Sequence, residues 1–189
     1  AVSDNSVDVT DLIARVDSFD SINGGSTTAM NLVSGATLNI ASAEISEMLA
    51  DQVAGRLTIT DQLIVVSDPI TVDDANALGA ATTGKVTATI SNTESIAELA
   101  TLNPDGGINE FTIVIREADA TSSTAAQLNA INNAVSSSTV IDLINVTALA
   151  GSSLSDLGTL ATAITNNQFS NATGLTTIAV SDTTIDATT

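Results

Sequence analysis

Val66-Ser67-Asp68-Pro69-Ile70-Thr71-Val72-Asp73 closes one β-branched run and opens one helix start, and its central phrase recurs at both ends of the chain. Ala1-Val2-Ser3-Asp4-Asn5-Ser6-Val7-Asp8-Val9-Thr10 begins the sequence, and Ala179-Val180-Ser181-Asp182-Thr183-Thr184-Ile185-Asp186-Ala187-Thr188 all but ends it. Used three times as strand end, turn and helix cap, the phrase reads as a junction between repeating units. The last copy stops at Thr189 before its helix pattern appears. The expectation is a single repeat-built domain over 1–189, a segment of a longer array or filament.

Outward from this junction, two kinds of segment alternate. Leu57–Thr60, Val86–Ile90, Phe111–Ile115, Val140–Ile144 and Thr177–Val180 are rich in Thr, Val and Ile and read as strands. Thr37–Ile40 and Leu63–Val66 are further candidates. Between them stand short amphipathic patterns behind capping residues. Val9, Leu12, Ile13 and Val16 follow Asp8 at helical spacing, and Ile45, Met48, Leu49 and Val53 follow Ser42. Thr71 to Asp74, Thr124 to Gln127 and Ser153 to Asp156 have capping-box spacing, in which each side chain satisfies a free backbone N–H. Thr93 is read as the cap before Ile96 and Leu99.

Those caps are spaced from the low twenties to the middle thirties of residues, the range of solenoid repeats. Strand plus helix in series predicts an α/β fold, a solenoid-like stack of short parallel strands alternating with short helices. A doubly wound sheet is the second architecture and a β-sandwich the third.

Composition limits the chemistry. The 189 residues are 43% hydrophobic and 14% charged, enough for a core and unlike a disordered chain. With three Phe and no Tyr or Trp, that core is aliphatic, suited to a layered interior. Twenty-two acidic residues against four basic ones give a net charge of -18, which disfavours nucleic acid and anionic membrane surfaces. No run of about 18 apolar residues predicts a transmembrane helix. Histidine and cysteine are absent, which removes Ser-His and Cys-His nucleophiles and the usual zinc sites. No catalytic residue and no resident cofactor is expected, and an enzyme is the third functional class.

Calcium remains open, because carboxylates on loops are its usual ligands. Asp4, Asp8, Asp11, Asp68, Asp73 and Asp182 are the candidate calcium residues. An acid beside a helix start also accepts backbone hydrogen bonds and complements the helix dipole, and capping is the leading reading for each of them.

Thr124-Ala125-Ala126-Gln127-Leu128-Asn129-Ala130-Ile131-Asn132 resembles the TAAxLNAI helices of certain giant bacterial surface proteins. Ile178-Ala179-Val180-Ser181-Asp182-Thr183 is similar to the VTLSDT strands that alternate with them. The resemblance is to the Ala/Thr/Ser/Asp-rich tandem repeats of cyanobacterial-type cell-surface proteins. It is clearest from about Val65 onwards; residues 1–64 follow it loosely. It implies an extracellular, cell-surface location and roles in adhesion, surface layers, filaments or motility. It implies as partners neighbouring copies or repeats of the same protein in a homo-oligomer or filament. It transfers no catalytic residue. The leading expectation is a structural component acting through self-association, and the alternative is a calcium-stabilised adhesin or glycan-binding module.

Overall fold

The computed structural model describes residues 6–22, 29–103 and 108–182. Its strands are β1 (Ser6–Asp8), β2 (Met30–Asn31), β3 (Thr37–Ile40), β4 (Leu57–Thr58), β5 (Leu63–Val66) and β6 (Val86–Thr89). They continue with β7 (Glu110–Val114), β8 (Ile141–Asp142), β9 (Ala148–Ser152), β10 (Phe169–Ser170) and β11 (Thr177–Val180). Its helices are α1 (Val9–Ile22), α2 (Ile45–Val53), α3 (Val72–Ala81), α4 (Ile96–Leu99), α5 (Ala125–Ala134) and α6 (Leu154–Thr165).

Seven strands form one parallel sheet in the order β1-β3-β5-β6-β7-β8-β10, which is chain order. A doubly wound sheet reverses its strand order at a switch point, and this one does not. The described ladders are parallel, so the hairpins of a β-sandwich are not its basis. Register partners are 31 residues apart from Ser6 to Thr37, 26 from Thr37 to Leu63 and 22 from Ile64 to Val86. They are 28 apart from Ile113 to Ile141 and again from Ile141 to Phe169. The chain divides into two compact units, Ala1–Thr89 with Ile108–Phe111, and Ile90–Gly107 with Thr112–Thr189.

In the first unit, α2 packs between α1 and α3, while α1 lies on β3 and α3 on β6. Strand alternation supplies the buried side: Leu38 and Ile40, Ile64 and Val66, Val86 and Ala88 point inward. Val9, Leu12, Ile13 and Val16 meet them from α1 as their spacing requires. Each large aliphatic buried in this way contributes about 1.5–3 kcal/mol. The stripe of α2 breaks off early. Ile45 and Met48 are buried, but Val53 is 90% exposed and Asp51 is buried instead. Asp51 is held by an ion pair with Arg56, and Gln52 donates to the carbonyls of Ile59 and Ala81 at 3.2 and 3.1 Å. The end of α2 is therefore bound to its surroundings by polar contacts that an apolar pattern does not encode.

A polar seam, buried at Gln62, Thr82 and Asn109, joins the turns of this unit. The Gln62 amide donates to Val33 O at 3.0 Å, and the Thr82 hydroxyl donates to Gln62 O at 2.7 Å. Thr83 N donates to Thr60 O at 2.7 Å, and Val86 N donates to Asn109 Oδ1 at 2.7 Å. A short ladder, β2 with β4, adds a second line of parallel pairing, placed after the helix of each turn of chain.

In the second unit, α5 packs between α4 and α6. Leu128, Ile131 and Ala134 of α5 are buried along one stripe. Ile113 from β7, Ile141 and Phe169 line the inward side of their strands. The second ladder here is β9 with β11, and β9 directly precedes α6 rather than following a helix. The run Val140–Ile144 forms only the two residues of β8. Ile144 N turns back to Asp142 Oδ1 at 2.9 Å and Val146 N to Leu143 O at 2.8 Å, which ends the strand.

Candidate functional site

Polar side chains cap several of the helix starts. Thr71, Thr124 and Ser153 cap α3, α5 and α6, accepting from Asp74 N, Gln127 N and Asp156 N at 3.1, 3.2 and 3.1 Å. Two expected caps differ. Ser95, not Thr93, caps α4: its hydroxyl accepts from Glu98 N at 3.1 Å, and Glu98 accepts from Ser95 N at 2.6 Å. Thr93 is occupied elsewhere, its hydroxyl on Ser91 and its carbonyl on Arg116. Ser42 lies inside a 3-10 turn, Ser42–Glu44, and the chain enters it with Ala41 N donating to Glu44 Oε2 at 3.0 Å.

A local cap leaves the first helical N–H without a partner. In the second unit that donor is satisfied from further along the chain. Ile96 N donates to Asp119 Oδ2 at 2.8 Å, Ala125 N to Ser152 Oγ at 2.9 Å, and Leu154 N to Asp182 Oδ2 at 2.8 Å. The acceptors lie 23, 27 and 28 residues downstream, one strand-helix turn of chain later. A carboxylate in this position also meets the positive end of the helix dipole. Each of these three helix starts is thus a contact with a later strand-helix segment of the chain.

Asp119 is the most buried of these carboxylates, at 6% exposure. Its Oδ2 accepts from both Ile96 N and Arg116 Nε, each at 2.8 Å. Arg116 reaches on to Thr93 O at 2.7 Å, so one ion pair grips both ends of the chain segment that enters α4.

The six candidate calcium residues are placed as follows. Asp4 lies outside the described residues. Asp8 accepts from Thr10 N at 3.0 Å at the start of α1, and Asp11 and Asp73 stand in the first turns of α1 and α3. Asp68 accepts from Ser67 Oγ at 3.0 Å, and Asp182 holds Leu154 N. Among the described residues no three acidic side chains gather as a metal would require. Asp8 and Asp182 are oriented by backbone amides. Sequence reasoning missed Asp119 and Ser152, whose partners lie too far away to be read from local spacing.

A cavity of about 210 Å³ lies in the first unit near the carboxyl ends of β1, β3 and β5, lined by Asp8, Thr10, Asn39, Glu44 and Ser67 among others. Its polar groups hold one another. Thr10 donates its hydroxyl to Glu44 and its N–H to Asp8, while Glu44 also accepts from Ala41 N. Among the described residues no helix is long and apolar enough to cross a membrane.

The caps make stability pH-dependent. Glu98 sits below its ordinary value of 4.5 because the Ser95 N–H, and then the Ser95 hydroxyl, donate to it, with Arg116 adding attraction. Asp61 sits below 3.8, held by the Ser34 hydroxyl and the Gly35 N–H. A carboxyl lowered in the folded state stabilises fully above its unfolded value and loses that contribution as pH falls through the folded one. The midpoint of thermal unfolding is expected to be flat down to about pH 5 and to fall below about pH 4.5. Glu98→Gln should flatten part of that fall, and a pH series of circular-dichroism melts checks it. Compared with family models, with curated proteins and with solved structures, the chain has no significant match.

Proposed function

We propose that this chain is a structural component of an extracellular bacterial repeat polymer, such as a surface layer, a filament or an adhesin stalk, and that it acts through self-association. In this reading the parallel strands and short helices are coils of a solenoid-like stack. The observation that carries it is the completion of helix starts from the next coil, at Ile96, Ala125 and Leu154. A coil whose first amide is satisfied by its successor suits an extended, repeating body, because the same contact can be made again at every step. The strands, in chain order without reversal, support the same picture. The extracellular, cell-surface location rests on the resemblance of Thr124–Asn132 and Ile178–Thr183 to bacterial surface repeats. The net charge of -18 suits a saline medium, where mutual repulsion is screened.

Sedimentation velocity over a wide concentration range tests the reading. The expected result is a mass that rises with concentration, and more steeply in added salt. A compact monomer at every concentration and salt would overturn it.

A further inference from the structure

β11 pairs with β9 on one side, and no strand lies on its other side among the described residues. Ile178 stands opposite Leu149, and Val180 opposite Ser152. Leu149 and Ser152 are 2% and 3% exposed, but Ile178 and Val180 are 54% and 40% exposed. The same register positions are buried in one coil and uncovered in the next. Scattered apolar residues on a surface are ordinary, but these two sit on an unpaired strand, whose free N–H and C=O groups recruit another chain.

We propose that this edge receives residues Ala1–Asp4 of a second copy, added as a parallel strand beside β11. The proposal rests on the self-association reading above and names its junction. Ala1-Val2-Ser3-Asp4 is identical to Ala179-Val180-Ser181-Asp182. The latter segment already makes the required rung: Ser181 N donates to Ser152 O at 3.0 Å, and Asp182 takes Leu154 N. The same four residues moved one coil further offer the same backbone groups, a valine at the position of Val180 and a carboxylate at the position of Asp182. The recipient is provided for in sequence as well. Ser152-Ser153-Leu154-Ser155-Asp156 is matched by Asp182-Thr183-Thr184-Ile185-Asp186, with hydroxyl and acid at capping spacing. Backbone pairing supplies affinity in such strand addition, and the side chains supply register. Each added copy presents the same edge again, so the contact is head-to-tail and does not close on itself.

Three forms of the full chain test this by sedimentation velocity at about 0.5 M salt, where charge repulsion is screened: the parent, a form lacking residues 1–4, and Val180→Lys. The parent is expected to form a ladder of species. Each variant alone should associate more weakly by at least about tenfold in Kd. The Val180 variant should melt like the dissociated parent, since Val180 is exposed. Mixed together, the two variants should form a 1:1 pair and nothing larger, because one retains the edge and the other the segment. If the shortened form associates like the parent, or the mixture stays monomeric, the junction is overturned while self-association stands. If the parent itself does not associate, both fall.

Discussion

Asp119→Ala is expected to destabilise the second unit by about 2–3 kcal/mol, the cost of losing a buried charged acceptor whose cationic partner, 32% exposed, still reaches water. The loss has two parts. Arg116 keeps its charge beside a site that is 6% exposed at Asp119, and the N–H of Ile96 loses its acceptor at the start of a four-residue helix. Asp119→Asn separates them, because an amide oxygen can still accept from Ile96 N while the ion pair is gone. It should therefore cost less than alanine. Urea unfolding followed by circular dichroism near 222 nm is the measurement, since the chain has no Trp or Tyr to report by fluorescence. Hydrogen exchange at Ile96 and Leu99 should rise in parallel. A loss under about 1 kcal/mol, the size of an ordinary exposed cap, would show that Asp119 contributes no more than a local contact.

Gly84→Ala should be comparably severe in the first unit. A Cβ at this position would stand 2.3 Å from Gln62 O and 2.7 Å from Asp61 O, and both are backbone atoms that no side-chain rotation can move. The polar seam passes through this point, where Gly84 N donates to Thr82 Oγ1 at 2.9 Å. Relief needs the two turns to separate, which breaks that bond and those of Thr82 to Gln62 and Thr60, so the expected cost is about 3 kcal/mol. Gly158→Ala is the contrasting substitution. It lies within α6 with nothing inside 4 Å of its Cβ, and should stabilise by about 0.5–1 kcal/mol. A pair of urea curves moving in opposite directions checks both; equal and small effects would contradict the close approach at Gly84.

Much of the secondary structure is legible in the chain. β3, β5 and β11 have the bounds that their β-branched runs indicate, and the Thr124 and Ser153 caps fall where hydroxyl and acid or amide are three residues apart. Elements that depend on neighbours are not legible. β9 is Ala-Leu-Ala-Gly-Ser, a poor strand by propensity. It is extended because Ala150 N pairs with Ser123 O on one side and β11 lies on the other. β10 is two residues long and carries too little pattern to read. Ser95 was hidden behind Thr93, although Ser95 and Glu98 have the full capping-box spacing. The acceptors supplied from later in the chain were hidden more deeply. Ser152 and Asp182 each precede a cap-like hydroxyl by one residue and lie 27 and 28 residues beyond the N–H they serve. Pairing each first helical residue with the position just before the next cap would have found them. Of the candidate calcium residues, Asp8 and Asp182 accept from backbone N–H groups at helix starts, the capping role that an acid in that position serves.

Completion of a helix start from later in the chain also sets an order in time. A chain delivered from its N-terminus brings out α5 before the Ser152 that finishes it, and α6 before Asp182. Each of these two helices thus waits for 27 or 28 further residues before its first N–H is satisfied. Completion of these helix starts therefore runs one strand-helix segment behind emergence.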